Sequence, residues 1–225
     1  MRILTFCQAF VVTVFVCRAV QGQETAEEHY RRGVEYGHAA QHASFFKRAG
    51  LARKAQAEFE RAVETDPNYL DARFALIEYD MLAPSFLGGS EEQAIAQANE
   101  IRKRNPVEGH RAFGRIFLLK KNYREAEREF EASVALDARF MDGWFEIGHL
   151  AALTGANLDR GEEALRKYLS QAPKHNDPPL YRAQYWLGVI YEKQGKKAEA
   201  KAAYSTSLKA NPNQKDVQEA MKRVS

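Results

Sequence analysis

The sequence predicts an all-α protein built as a solenoid of about five helix pairs with a C-terminal capping helix. Three observations carry this. The stretch AQYWLGVIYEKQGKKAEAKAAYSTSLKANPN, within Tyr181 to Gln214, sets Leu187, Gly188 and Tyr191 three to four residues apart, and Ala200, Tyr204 and Leu208 likewise, which is the spacing of two amphipathic helices. The same spacing returns upstream at intervals of about 34 residues. Between the two runs Gly195 can take the positive φ that ends a helix, and Pro212 after Asn211 keeps the second helix from continuing. Helices this short are unstable alone in water, so each pair must bury its apolar stripes internally and against a neighbouring pair.

Taken in order, the chain opens with Arg2, an apolar run from Phe10 to Val16, and small or neutral residues ending Val20-Gln21-Gly22. This has the form of a secretory signal over residues 1–22, cleaved before Gln23. An uncleaved signal anchor is the other reading, although the run is short for a span of about 20 residues. A lipidated Cys17 fits poorly, because Val16 stands where a lipobox wants a small residue. Cys7 and Cys17 are the only cysteines, so a processed chain has no thiol for disulfides, metal ligation or nucleophilic catalysis.

Residues 23–225 read as a single repeat domain. The first pair, about 26–69, has Tyr30, Gly33, Val34 and Gly37 on one helix, and Ala55, Phe59, Ala62 and Val63 on a second that starts near Leu51 and stops at Asp66-Pro67-Asn68. The second, about 70–106, opens at Leu70 with Phe74, Leu76 and Ile77. It breaks at Ala83-Pro84 and Gly88-Gly89, then resumes through Ala94, Ala98 and Ile101, with Ser90 and Gln93 as a capping box. The third, 107–140, sets Phe113, Gly114 and Phe117 against Ala126, Phe130 and Val134. In the fourth, 141–180, Trp144, Ile147, Gly148 and Ala151 face Ala164, Tyr168 and Leu169, ahead of Pro173. The fifth is 181–214, and Val217, Met221 and Val224 mark a polar-backed cap over 214–224.

In the fifth pair a glycine is followed by a small residue twelve later, an aromatic four after that and a proline eight further on: Gly188, Ala200, Tyr204 and Pro212. This resembles the tetratricopeptide repeat (TPR), and Gly114, Ala126, Phe130 and Ala138 match at the same offsets with alanine for the proline. The fourth pair matches through Trp144, Ile147 and Gly148, with Ala164 and Tyr168 four residues late. The first two pairs match only in their second helices, through Ala55, Phe59, Ala62 and Pro67, and through Ala94, Ala98 and Pro106. The resemblance, to a TPR protein of the exported bacterial type, implies a right-handed α-solenoid whose first helices line a concave groove that holds a peptide or partner helix. Carried over by position, the groove set is Asp71, Phe74 and Glu78; Glu108, Arg111 and Arg115; Asp142, Phe145 and His149; and Arg182, Tyr185 and Val189. Phe74, Glu78, Arg111, Arg115, Phe145, His149 and Tyr185 are the expected partner-binding residues.

The extra residues of the first, second and fourth pairs fall near 43–53, 83–89 and 155–161, between the two helices of each pair, along one edge of the stack. Phe45 and Phe46, and Phe86 and Leu87, make two of these insertions apolar at their centres. They either contact a partner or fold back and lengthen the core, and the frequency of buried phenylalanine favours the core.

Formal net charge is +3 over 225 residues, and loss of Arg2 and Arg18 leaves 31 basic against 30 acidic side chains. Near-neutrality gives no support for a nucleic-acid partner. Glu35, His38 and His42 share one helical face, yet a solvated pair of histidines explains them better than a metal. No glycine-rich phosphate loop, His-Glu-x-x-His, Gly-x-Ser-x-Gly or calcium loop occurs, and Gly88-Gly89-Ser90 lacks a following lysine. We therefore expect no catalysis, cofactor or metal, and no membrane span in the mature chain. The expected function is a periplasmic or secreted scaffold for a protein or peptide. The other reading is a small-ligand carrier or transport accessory with a pocket between repeats. The sequence leaves oligomeric state and partner identity open.

Overall fold

The computed structural model describes residues 24–171 and 178–224, without the side chains of residues 45 and 46. The expected signal segment, Pro173 and His175 lie outside the described residues. The described residues form eleven α-helices, α1 (Ala26–His42), α2 (Phe45–Thr65), α3 (Leu70–Leu82), α4 (Glu91–Arg104), α5 (Pro106–Leu119), α6 (Tyr123–Leu136), α7 (Met141–Thr154), α8 (Leu158–Leu169), α9 (Leu180–Lys193), α10 (Lys197–Ala210) and α11 (Lys215–Val224), and one 3₁₀ turn at Ser85–Leu87. Successive helices pack on one another, and the first helices of adjacent pairs touch as α3 on α5, α5 on α7 and α7 on α9. The protein is thus a solenoid of five helix pairs closed by α11.

Helix boundaries follow local chemistry. Thr25 and Glu28 form a reciprocal capping box at the start of α1, and Ser90 Oγ accepts from the Gln93 N–H at 3.3 Å at the start of α4. Asn105 alone separates α4 from α5. It closes α4 through its backbone N–H to Ile101 O, and its side chain accepts from the N–H groups of Val107 and Glu108 with Pro106 at the first helical position. Gly195 takes φ +76 after α9, as the sequence expects.

Within pairs, glycines bring the helices together. A Cβ on Gly114 would lie 2.3 Å from the Phe130 ring, and one on Gly188 2.4 Å from the Tyr204 ring, so the aromatic of each second helix fills the space glycine leaves. Gly33 does the same for Phe59. The first pair therefore matches in both helices, which the sequence spacing hides because Gly33 and Phe59 stand 26 apart rather than 16.

Two insertions fall elsewhere than the spacing suggests. In the first pair only Ala43 and Ser44 are non-helical, so α2 starts at Phe45 rather than near Leu51, and the extra residues lengthen the helices. Residues 47–53 are mostly alanine, leucine, lysine and arginine, which are strong helix formers. In the fourth pair Gly155 (φ +79) and Asn157 (φ +49) turn the chain within three residues. Gly161 meets Ala151 and Leu165 fills the space at Gly148, so Gly161 and Leu165 hold the places assigned to Ala164 and Tyr168, with one residue inserted rather than four. Tyr168, nearly a turn further on, packs against Phe145 with ring centres 5.4 Å apart. The additional length lies between α8 and α9, at 170–179. The 83–89 insertion does lie between its two helices.

Candidate functional site

Side chains from α3, α5, α7 and α9 converge on one face through contacts between residues about one repeat apart. The Arg111 guanidinium lies 4.1 Å from the centre of the Phe74 ring and pairs with Glu108 at 3.3 Å and with Asp142 on α7. One turn along, Arg115 pairs with Glu78 on α3 and, at 3.2 Å, with Glu146 on α7. Four of the seven expected residues, Phe74, Glu78, Arg111 and Arg115, thus sit together, but the charges among them are engaged across the repeats.

Glu146 is the buried centre of this ladder. Burial pushes its carboxyl up, but Arg115, the His149 hydrogen bond and Arg111 outweigh burial and hold it at about 2. Reciprocally, Glu146 raises the Arg115 guanidinium. His149 Nδ1 stands 3.5 Å from Glu146 Oε2, so it joins the ionic ladder to an aromatic group. His149 lies 4.6 Å from Trp186, and Trp186 lies 4.6 Å from Tyr185, ring centre to ring centre. Arg182 covers both Tyr185 and Trp186 at 5.3 Å and pairs with Asp216 of α11 at 3.1 Å.

Not every expected residue is presented to solvent. Phe145 is only 8 % exposed and belongs to the core beneath the face. Sequence reasoning missed Glu146 and Trp186: the charge of Glu146 and the adjacent Tyr185-Trp186 aromatics were the available signals. Where α3, α5 and α7 begin, a cleft of about 820 Å³ is rimmed by Asp66, Asp71, Glu108, Asp137 and Asp142, with Arg111 and Arg139. Glu35, His38 and His42 lie exposed along α1, and among the described residues no three metal-ligating side chains converge.

On the opposite, turn-forming edge, Phe86 is 71 % exposed and Leu82 67 % exposed, so Phe86 does not fold back into the core. The loop carrying it is fixed: Arg53 donates to Phe86 O at 3.0 Å and the Tyr79 hydroxyl to Leu87 O at 2.5 Å. Its chain reversal needs the left-handed Gly88, which leaves Phe86 projecting. Phe45 and Phe46 begin α2, and their side chains lie outside the description.

Residues 181–214 match the family model described as Tetratricopeptide repeat. Among curated proteins, the chain is 24 % identical over 123 residues to the general transcriptional corepressor trfA of Dictyostelium discoideum, covering 54 % of this chain and 9 % of that protein. It is 23 % identical over 168 residues to the tetratricopeptide repeat-containing protein trd-1 of Caenorhabditis elegans, covering 74 % and 20 %. The chain therefore spans a fifth or less of the length of these relatives. Among solved structures, a thermophilic TPR protein of Thermus thermophilus superposes with a TM-score of 0.63 at 18 % identity, over 89 % of this chain and 98 % of that one. YrrB, a TPR protein with an unusual peptide-binding site, gives 0.50 at 16 % identity over 87 % and 95 %. The fold is that of a tetratricopeptide repeat solenoid.

Proposed function

We propose that this chain is an exported, non-catalytic scaffold that holds a protein or peptide segment against the face made by α3, α5, α7 and α9. The observation that carries the reading is the cross-repeat ladder Glu78–Arg115–Glu146–His149–Trp186, which fixes polar and aromatic side chains before any partner arrives. A preformed face loses little side-chain freedom on binding. Half-buried Tyr185 and Trp186 offer a partner rigid aromatic area, whereas Arg111 and Arg115 act mainly by holding the repeats in register. YrrB, which shares the fold, is described by its peptide-binding site, and this supports the same class of ligand here.

A photo-crosslinking residue placed at Tyr185, compared with one at Glu129 on α6, tests the reading in an envelope extract. Adducts of a discrete protein from position 185 and not from 129 are expected; equal labelling from both overturns it. Export is tested separately, by whether the mature protein begins at Gln23. A second reading, a small-ligand carrier, draws on the 820 Å³ cleft and its acidic rim. A thermal-shift screen with cationic metabolites tests it, a concentration-dependent rise in Tm being the expected sign.

A further inference from the structure

The tip formed by the end of α1, the start of α2 and the loop between α3 and α4 differs in chemistry from the rest of the solenoid. Between Glu35 and Glu58 the sequence has no carboxylate, and in that interval stand Lys47, Arg48, Arg53 and Lys54, all exposed, with exposed His38 and His42. Contacts tie three of the four cations to α1 or to the loop between α3 and α4. Arg48 donates to the carbonyls of Ala40 and Ala43 at 3.2 and 3.3 Å, Lys54 covers the Tyr36 ring at 5.6 Å, and Arg53 holds the Phe86 carbonyl. Among the described residues, none of the four cations has a carboxylate within ion-pairing distance. Elsewhere several cations are engaged by acids of a neighbouring repeat, as Arg115 is by Glu78. The one acid in the 79–90 loop segment, Asp80, is 5 % exposed, and Glu91 just beyond it is paired with Lys120 at 2.5 Å.

Beside Arg53, which holds the Phe86 carbonyl, Phe86 projects 71 % exposed, and Leu82 at the end of α3 is 67 % exposed. Apolar side chains exposed near one another and rimmed by polar residues mark interaction or membrane sites. We infer that this tip is a peripheral docking surface for an anionic lipid bilayer, with Leu82 and Phe86 entering the headgroup region and Lys47, Arg48, Arg53 and Lys54 facing acidic headgroups. Charge complementarity selects an anionic occupant. The shape favours a bilayer over an acidic peptide, because the apolar side chains stand outward and the cleft described at the helix starts does not include them. No described helix is long and apolar enough to cross a membrane, so attachment through the tip is interfacial and reversible. It leaves the face proposed to bind a partner free, and it stands whether or not that reading holds.

Co-sedimentation of the full chain with vesicles tests the inference. Vesicles of about three parts phosphatidylcholine to one part phosphatidylglycerol are compared with pure phosphatidylcholine, at low and high salt. The N-terminal segment is common to every sample, so the tip is read from differences between variants. Preferential, salt-sensitive binding to the phosphatidylglycerol vesicles is expected. Each basic residue near an anionic surface is worth about fivefold in partitioning. Lys47→Glu with Lys54→Glu is therefore expected to lower binding at least about tenfold, and Leu82→Ser with Phe86→Ser to lower it comparably, with unchanged helical circular dichroism. Variants that sediment like the wild type, or wild type that binds both vesicles equally, overturn the proposal. So does Phe86-dependent self-association, or Phe86-dependent capture on poly-glutamate, without vesicle binding; these outcomes assign the tip to a second copy or to an acidic protein.

Discussion

Asp80 and Glu146 are both buried carboxyls, yet acid acts on them in opposite directions. Burial first, then Glu60, raises Asp80 from 3.8 to about 6, and its Oδ1 has no hydrogen-bond partner among the described residues. Its folded form binds the proton more tightly than its unfolded form, so it gains stability as pH falls through about 6 towards 3.8 and weakens the fold above that window. Asp80→Asn is expected to stabilise the protein by on the order of 2 kcal/mol at pH 8. That advantage should vanish below pH about 4 in urea titrations at several pH values; an advantage independent of pH would refute the assignment. Glu146, held at about 2, contributes stability above the ordinary carboxylate range and loses it as pH falls through that range towards 2. Removing its partner leaves a buried, uncompensated charge, so Arg115→Met is expected to lower stability by about 3–5 kcal/mol at pH 7. The loss should shrink when Glu146→Gln is added, and a double-mutant cycle with no coupling would contradict the ladder. Such pairings are hard to read from sequence, because Arg115 meets Glu78 and Glu146 from 37 and 31 residues away. The groove positions alone predicted which residues share a face, not which charges neutralise one another.

At the scale of the helix pair, the legible signal was close packing. A glycine facing an aromatic 16 residues later reports a contact that geometry enforces, and the structure reproduces it at Gly114–Phe130 and Gly188–Tyr204. Spacing counts extra residues without saying whether they lengthen a helix or a loop. The first insertion went into α2, because its residues favour helix, and most of the fourth went between pairs, because Gly155 and Asn157 complete the earlier turn at once. Gly114→Ala and Gly188→Ala are each expected to destabilise by about 1–3 kcal/mol through overpacking. Phe86→Ala, on the exposed loop, is expected to change stability by less than about 0.5 kcal/mol. Thermal unfolding of the three variants checks both halves: a large loss for Phe86→Ala would place that ring in the core after all.

Across the whole molecule the core is uneven. Its largest cluster joins α7 through α11, from Met141 and Phe145 through Tyr168, Leu187 and Tyr204 to Val217 and Val224, whereas the first helices rest on two small clusters built from Ala26, Ala62 and Ala72, and from Ala55, Phe59 and Leu76. In a stack where each unit touches only its neighbours, stability is a sum of unit and interface terms, and the ends can open separately. Opening should therefore begin at α1–α3, whose core clusters among the described residues are smaller, and reach α7–α10 last. Native-state hydrogen exchange is expected to show amides of α1–α3 exchanging through openings of lower free energy than those of α8–α10. Val217, fully buried where α11 closes the stack, provides the counter-test. Val217→Asp should lower the opening free energy of α9 and α10 while leaving α1–α3 unchanged. If instead every helix weakened together, the solenoid would unfold as one cooperative body and the nearest-neighbour account would be wrong.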